Sequence, residues 1–252
     1  MKQLLASLFL VTSSFTSISG LTSQTEKKPA LERTFQEAVD QRTNPFVSWY
    51  TDEKHLLYIE MLLSNGRVDA EQKGAALANA VSYGDIELLQ LLLRYGADAN
   101  YQGENGRTVL MIAAAEGFYS QCGNDPSINT YTGNTAAVKA LLDAGSRIDT
   151  QNSEGNTALM LAAQHARSES VKLLLLSGAN VNLTNAHGET ALMYATEAAG
   201  AYAEDNVNEI VKGLISSGAD LNVRDEQGNT ALTHANRSSA VKRILIAAGA
   251  IE

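Results

Sequence analysis

The ten residues GNTALMLAAQ, at positions 155–164, decide the fold of this protein because the chain repeats them. Close copies stand at 188–197 (GETALMYATE) and 228–237 (GNTALTHANR), and the shorter TVLMIAA stands at 108–114. The glycines that align these copies are separated by 49, 33 and 40 residues: Gly106, Gly155, Gly188 and Gly228. The two longer separations contain insertions of 16 and 7 residues. Self-similarity with such a period indicates a solenoid of stacked repeats.

A second set of glycines keeps the same register and follows aliphatic segments such as LLLLSGANVN: Gly96, Gly145, Gly178, Gly218 and Gly249. Glycine at such a place is typical of the left-handed residue that ends a helix. In the repeated word, the threonine can cap the N–H groups that begin a first helix. The glycine two residues before it supplies the positive φ of a turn. Each repeat is therefore predicted to hold a turn and two helices.

The apolar residues of each repeat serve stacking. The alanine pair keeps the first helix thin, so that neighbouring repeats approach closely. The second helix carries aliphatic residues at helical spacing: Leu88, Leu89 and Leu92; Val138, Leu141 and Leu142; Val171, Leu174 and Leu175; Ile210, Val211 and Leu214. Each unit can bury this stripe only against its neighbours.

The repeated word resembles the signature T-P-L-H-x-A-A of the ankyrin-repeat family. It stands here as TVLMIAA, TALMLAA (157–163), TALMYAT (190–196) and TALTHAN (230–236). The family proline is Val or Ala in this chain, and the family histidine is replaced by Met111, Met160, Met193 or Thr233. These changes are expected to weaken hydrogen bonding at the helix start. The resemblance implies an all-α ankyrin-repeat solenoid of about six helix-turn-helix units with β-turn fingers.

The N-terminal residues are predicted to lie outside the solenoid. Lys2 precedes an apolar run too short to span a bilayer, and small residues follow it, which is typical of a secretory signal peptide. No cysteine follows the run, so a lipoprotein anchor is not expected. We expect a signal peptide over 1–19, a flexible leader over 20–30 and the ankyrin-repeat domain over 31–252. Its expected units are 31–73, 74–102, 103–151, 152–184, 185–224 and 225–252.

Composition restricts the compartment and the partner. The formal net charge of −9 argues against nucleic-acid binding, which needs a clustered basic face. The sole cysteine, Cys122, cannot form an intrachain disulfide. An exported protein without disulfides is expected in a bacterial periplasm first and in the extracellular space second. No stable membrane anchor is expected, and the protein is expected to be monomeric on its own.

No constellation for catalysis or metal binding is evident in the sequence. The four histidines form no H-x-x-x-H or H-E-x-x-H motif, and Cys122 lacks a second cysteine or a nearby base. His165 is predicted near the concave face, and packing is the default interpretation of His234. We therefore expect no catalytic residues, no cofactor and no metal, and the chain is predicted not to be an enzyme.

The finger tips and the concave first-helix face are the first candidate partner surface, because the resemblance implies binding there. Each tip residue taken singly can also be a solvated turn residue. Acids outnumber bases among them, which favours a basic or polar patch on the partner. The candidate finger residues are Tyr101, Glu104, Asn105, Arg107, Glu154, Asn156, His187, Glu189, Glu226, Gln227 and Asn229.

The inserted connections between paired helices, at 40–54, 118–134 and 200–208, form the second candidate surface. They hold about half of the aromatic residues outside the signal peptide, and Trp and Tyr dominate interface hot spots. The alternatives are a satellite core over the helix ends or a small-molecule site. The candidate loop residues are Phe46, Trp49, Tyr50, Phe118, Tyr119, Tyr131 and Tyr202.

These observations predict a non-catalytic protein-binding module in the cell envelope. The chain resembles exported bacterial ankyrin proteins, some of which act as self-protection (immunity) proteins that cap an enzyme. That resemblance implies binding and inhibition of a periplasmic enzyme such as a cell-wall hydrolase. Three alternatives stay open: a passive scaffold or chaperone-like partner of an envelope enzyme, a secreted effector that binds a host protein, and an enzyme or ligand binder built on the inserted loops.

Overall fold

The computed structural model describes residues 35–40, 53–115 and 135–251 of the chain. All of these residues fall within one compact unit, 31–252. The described part holds twelve α-helices and no β-strand; its only bridges are two isolated pairs. The helices are α1 (35–40), α2 (Glu53–Ser64), α3 (Ala70–Tyr83), α4 (Ile86–Arg94), α5 (Val109–Ala115), α6 (Thr135–Asp143), α7 (Ala158–Gln164), α8 (Ser168–Leu176), α9 (Ala191–Glu197), α10 (Glu204–Ser216), α11 (Ala231–His234) and α12 (Ser239–Ala247). Short 3₁₀ turns cover Glu104–Gly106 and Ala235–Arg237.

The helices stack in two layers. The first helices of successive units pack on one another, α3 on α5, α5 on α7, α7 on α9 and α9 on α11. The second helices do the same, α4 on α6, α6 on α8, α8 on α10 and α10 on α12. This arrangement confirms the predicted all-α ankyrin solenoid. The first helix of the second unit begins at Ala70, somewhat before the expected unit start at residue 74, because Asp69 caps it.

The repeated word caps its helix as predicted at Thr108, Thr157 and Thr190. In the last copy the buried Thr230 hydroxyl has no hydrogen-bond partner among the described residues, and the prediction is wrong there. The Thr157 hydroxyl accepts a hydrogen bond from the Met160 backbone N–H at 3.3 Å. In return, the Met160 sulfur accepts one from the Thr157 N–H at 3.4 Å, and Thr108 and Met111 are paired in the same way. Methionine therefore supplies an acceptor where the family has histidine, although thioether sulfur is a weak one.

One continuous aliphatic core runs through the described units. Leu88, Leu174 and Leu214, on three different second helices, are fully buried. Burying such a side chain contributes about 1.5–3 kcal/mol relative to leaving it in water. The alanine pairs of the first helices are also fully buried, as Ala162 and Ala163 show. The core thus extends from unit to unit with no separate interior for any one of them.

A ladder of side chains joins the loops that follow the second helices. Asn182 Oδ1 accepts the backbone N–H of Asp220 in the next unit at 2.8 Å. Equivalent bonds run from Arg147 N–H to Asn100, from Asn180 N–H to Asp149 and from Ile251 N–H to Asn222. The Asn or Asp four residues after the glycine that follows a second helix therefore ties its unit to the next.

Among the helices in the described part of the chain, none has the length and apolarity needed to cross a bilayer.

Candidate partner-binding surface

An Asn or Asp side chain holds each of the last three fingers in shape. Asn152, Asn185 and Asp225 each stand three residues before the finger glycine. Asn185 Oδ1 accepts the backbone N–H groups of His187 and Glu189, both at 2.9 Å. Asn152 and Asp225 each accept the two corresponding N–H groups of their own fingers. The preceding finger has Gly103 at this position and forms a 3₁₀ turn instead.

Backbone hydrogen bonds link neighbouring finger tips into one edge. The N–H of Ser153 bonds to the carbonyl of Asn105, and the N–H of Ala186 bonds to the carbonyl of Glu154, each at 2.9 Å. Glu226 N–H bonds in the same way to the His187 carbonyl at 2.9 Å. The tips therefore form a continuous surface on which side chains keep a fixed spacing.

The predicted finger residues differ in exposure. The exposed ones are Glu104, Asn105, Glu154, His187, Glu226 and Gln227. The half-buried ones are Tyr101, Arg107, Glu189 and Asn229, and Asn156 is buried. The exposed group has three carboxylates and one histidine, so the available edge is acidic. His187 lies 3.5 Å from Glu226 through Nδ1 and Oε2.

Two predicted finger residues hold the fold together. The Tyr101 ring lies against Gly74 of the preceding unit, where a Cβ at position 74 would come within 2.1 Å of the ring. Asn156 lies in a buried cluster, in which its Oδ1 accepts the Tyr194 hydroxyl at 3.2 Å and the Asn185 amide at 3.1 Å. These two side chains stabilise contacts between units and leave little surface for a partner.

Tyr194 joins the first-helix face to the fingers. Its hydroxyl accepts the Asn185 amide at 3.0 Å, and the same amide reaches the Glu189 carboxylate at 2.8 Å. Burial is the largest cause that raises the pKa of Tyr194, and the Glu189 carboxylate raises it further, to about 12. The hydroxyl therefore stays protonated at physiological pH and serves as a structural hydrogen-bond donor.

His234 occupies the position in the last unit that Tyr194 occupies in the unit before. Its Nε2 lies 2.7 Å from Asp225 Oδ2, and its Nδ1 lies 2.7 Å from Glu197 Oε1. The contact with Glu197 crosses from one unit to the next, whereas Asp225 belongs to the finger of the same unit. His234 was predicted to pack, and the structure shows instead that it bridges two carboxylates.

Asp225 is the centre of the last finger. Its fully buried carboxylate accepts the N–H groups of Gln227 and Asn229 in addition to His234. Burial raises the pKa of this carboxyl, but the hydrogen bonds from the Asn229 N–H and from His234 outweigh that effect. The net pKa lies below its ordinary value of 3.8.

A cleft of about 360 Å³ lies on the first-helix face between the fourth, fifth and sixth units. We call it the Arg237 cleft, and it is lined by Gln164, Tyr194, Glu197, Ala198, Ala201, Tyr202, His234, Asn236 and Arg237. Tyr202, a predicted loop residue, is half-buried there, and its hydroxyl lies 3.3 Å from His165 Nδ1. The structure thus brings one residue of an inserted loop to the first-helix face.

The other predicted loop residues lie outside the described residues: Phe46, Trp49, Tyr50, Phe118, Tyr119 and Tyr131. Whether the aromatic loops bind a partner or form a satellite core therefore stays a prediction.

Sequence reasoning missed Glu197, Asp225 and Arg237 as functional candidates. A signal was available, because residues at the same distance after each finger glycine share a place on the first-helix face. In the fourth, fifth and sixth units, the sixth residue after the finger glycine is Leu161, Tyr194 and His234, respectively. The ninth residue after that glycine is Gln164, Glu197 and Arg237, respectively. Stacking does not require polar residues at these positions, so their appearance toward the last unit indicates a specialised surface.

Within the residues that the structure describes, no group of three or more His, Cys, Asp and Glu side chains is arranged to hold a metal ion.

Three protein-family models match the chain: ankyrin repeats in many copies over 77–122, ankyrin repeats in three copies over 128–203, and a single ankyrin repeat over 187–226. Together they cover more than half of its 252 residues. Ankyrin repeats bind other proteins and are generally non-catalytic. The matches and the stacked helix pairs agree: this chain belongs to the ankyrin-repeat family.

Proposed function

We propose that this protein acts in a bacterial cell envelope, where it binds a periplasmic enzyme and inhibits it. The best candidate enzyme is a cell-wall hydrolase, from which the protein protects the cell that makes it. The sequence over 1–19, which is typical of a signal peptide, supports the envelope as the compartment. The absence of a disulfide-forming cysteine pair favours the periplasm over the extracellular space.

The hydrogen-bonded finger edge is the observation that carries the binding function. Its exposed side chains, among them Glu104, Glu154 and Glu226, take no part in stacking the helices. Their backbones are held in place by bonds between neighbouring fingers. A pre-organised surface loses little conformational entropy when a partner binds. The acidic edge matches a partner whose active-site rim is basic or polar.

Crosslinking in intact cells, followed by mass spectrometry, tests the binding function. We expect one envelope enzyme to be recovered with the wild-type protein. Reversing two finger charges, Glu104→Lys with Glu226→Lys, is expected to reduce recovery because it places like charges against the partner. The matched control reverses two exposed charges on second helices, Glu169→Lys with Glu209→Lys, and should bind like the wild type. An equal loss of enzyme recovery in both variants would show that the finger charges do not take part in binding.

Assay of the recovered enzyme then separates inhibition from the alternatives. Added protein should lower hydrolase activity in proportion to the complex formed. Binding that leaves the enzyme fully active would indicate a passive scaffold or chaperone-like role. Recovery of the protein from culture supernatant rather than from the periplasmic fraction would favour a secreted effector.

A further inference from the structure

Near the Arg237 cleft, the acidic side chains have hydrogen-bonding partners within the protein, whereas Arg237 has none among the described residues. Glu197 and Asp225 each direct a carboxylate oxygen to a nitrogen of His234, at 2.7 Å in both cases. His234 therefore gives each of these two carboxylates a contact within the protein.

The guanidinium of Arg237 makes no comparable contact with a group of opposite charge in the described part of the chain. Across the described residues it has no hydrogen-bond or ion-pair partner, although it lines the cleft. Its aliphatic stem lies against the backbone of Gly200, where an added Cβ would be 3.4 Å from the Arg237 Cβ. The planar, five-donor guanidinium at the end of this stem belongs to a residue that lines the cleft.

The neighbouring polar groups can add further donors. The side-chain amides of Gln164 and Asn236 are exposed at the cleft wall, and the Tyr202 hydroxyl stands beside them. An incoming group thus meets one fixed positive charge and several hydrogen-bond donors. The remaining exposed charge, that of Glu197, is already paired with His234.

We propose that the Arg237 cleft binds a single side-chain carboxylate of the partner, that of an Asp or Glu residue. The inference rests on the proposed function, because it names the chemistry that one part of the partner presents to this surface. Arg237 engages both oxygens of the carboxylate, since guanidinium and carboxylate match in a two-pronged geometry. The amides and the Tyr202 hydroxyl complete the shell of donors around the bound group.

A carboxylate fits the site better than a phosphate or a cation does. A phosphate carries nearly two negative charges, and the Glu197 carboxylate in the cleft wall repels the second one. A lysine or arginine side chain would meet the unpaired charge of Arg237 and would have to displace His234 from Glu197. One guanidinium balances one carboxylate without either difficulty.

Binding of short capped peptides to the full chain tests the proposal without any identified partner. The probes are N-acetyl-Ala-Glu-Ala-amide, its Gln and Lys counterparts, and inorganic phosphate. Nuclear magnetic resonance follows the Arg237 Nε–H and the amides of Gln164 and Asn236. We expect saturable binding of the Glu peptide alone, with a dissociation constant on the order of millimolar. Preference for the Gln peptide, the Lys peptide or phosphate, or binding of none, would overturn the proposal.

Substitutions assign the binding to Arg237. Arg237→Gln should lower the affinity for the Glu peptide by about tenfold or more, the loss of one charge-assisted pair. Arg237→Lys should retain part of it, because an ammonium keeps the charge but loses the two-pronged geometry. The control Arg243→Gln removes an exposed charge on α12 and should change nothing. Equal effects of Arg237→Gln and Arg243→Gln on the peptide affinity would overturn the assignment to Arg237. If the crosslinking experiment recovers no enzyme but the Glu peptide still binds, only the proposed function is contradicted.

Discussion

At the scale of single residues, the fingers depend on two positions with different demands. The Asn or Asp three residues before the glycine accepts the backbone N–H groups of the residues two and four positions after it. The glycine adopts a positive φ, +80° at Gly155, that side chains of L-residues rarely tolerate. At Gly155 a second demand appears, because the next finger packs directly on it.

The close approach at Gly155 can be measured by substitution. A Cβ there would lie 2.7 Å from the Ala186 nitrogen and 2.9 Å from the Asn185 Cα. At Gly178, which has a similar φ of +88°, a Cβ would meet nothing within 4 Å. Gly178→Ala should cost about 1–2 kcal/mol from backbone strain alone. Gly155→Ala should cost about 1–3 kcal/mol more because of the clash. Urea unfolding of both variants checks this, and equal losses would contradict it.

The buried Asp225 carboxylate makes the stability of the last finger depend on pH. Because folding lowers the pKa of Asp225, the ionised carboxylate stabilises the fold above its ordinary pKa of 3.8. That stabilisation is lost as the pH falls through the lower, folded-state pKa. Asp225→Asn should therefore reduce the free energy of unfolding by about 1–3 kcal/mol at neutral pH. The deficit relative to wild type should shrink below about pH 4.

Urea unfolding of the wild type and Asp225→Asn at pH 7, 5 and 3 measures this difference. The exposed Asp143→Asn, on α6, is the control and should unfold like the wild type at neutral pH. A deficit that stays constant over the whole range would show that the charge of Asp225 does not stabilise the finger.

At the scale of elements, two sets of hydrogen bonds join the units besides the apolar core. One is the finger edge and the other is the ladder through the loops after the second helices. Both fix the offset between neighbouring helix pairs, since each bond joins a residue to its counterpart one unit further along. The ladder uses side-chain acceptors and can therefore be altered without changing the backbone.

Asn182 offers the clearest test of the ladder. Its Oδ1 accepts the Asp220 N–H at 2.8 Å, and its Nδ2 donates to the Gly218 carbonyl at 3.1 Å. Asn182→Ala removes both bonds and should lower the free energy of unfolding by about 1 kcal/mol, because water can replace a partner at an exposed site. Asn182→Asp keeps the acceptor and should lose less. Thermal and urea unfolding of the two variants provide the comparison, and a larger loss for Asp would rule out the acceptor as the stabilising group.

At the scale of the whole molecule, stability is shared between neighbouring units. No unit has an interior of its own, so a unit with a neighbour on each side buries more than one with a single neighbour. In the last unit, Ile246 and Ile251 remain 59% and 63% exposed. The middle units carry the buried Asn156 cluster in addition to the aliphatic core.

Hydrogen exchange should reflect this gradient. Amide protons of α7 and α9 are expected to exchange more slowly than those of α12, because opening a middle unit breaks contacts on both sides. Exchange measured by mass spectrometry on peptides covering these helices makes the comparison. Equal protection throughout would mean that the solenoid opens only as a whole.

The fold was predictable from the sequence because the information for stacking is local and repeated. The threonine and the two glycines recur in the last four units, and the alanine pair is complete in the third and fourth. The second unit uses Asp69 as the cap of its first helix. The candidate site was only partly predictable. Glu104 and Glu226 are exposed on the fingers as expected, whereas Asn156, predicted for the same surface, is buried.

The sequence by itself determined the helices, the turns and their stacking, since those follow from the order of residues within one unit. Only the tertiary structure decided which polar residues are free for a partner, since that depends on the neighbouring unit. Asn156 is covered by Tyr194 from the next unit, and His234 is held by Glu197 from the previous one. Arg237, at the position equivalent to Glu197, keeps its charge for a partner because no described neighbour pairs with it. Contacts of this kind are made between units, and no pattern within a single repeat encodes them.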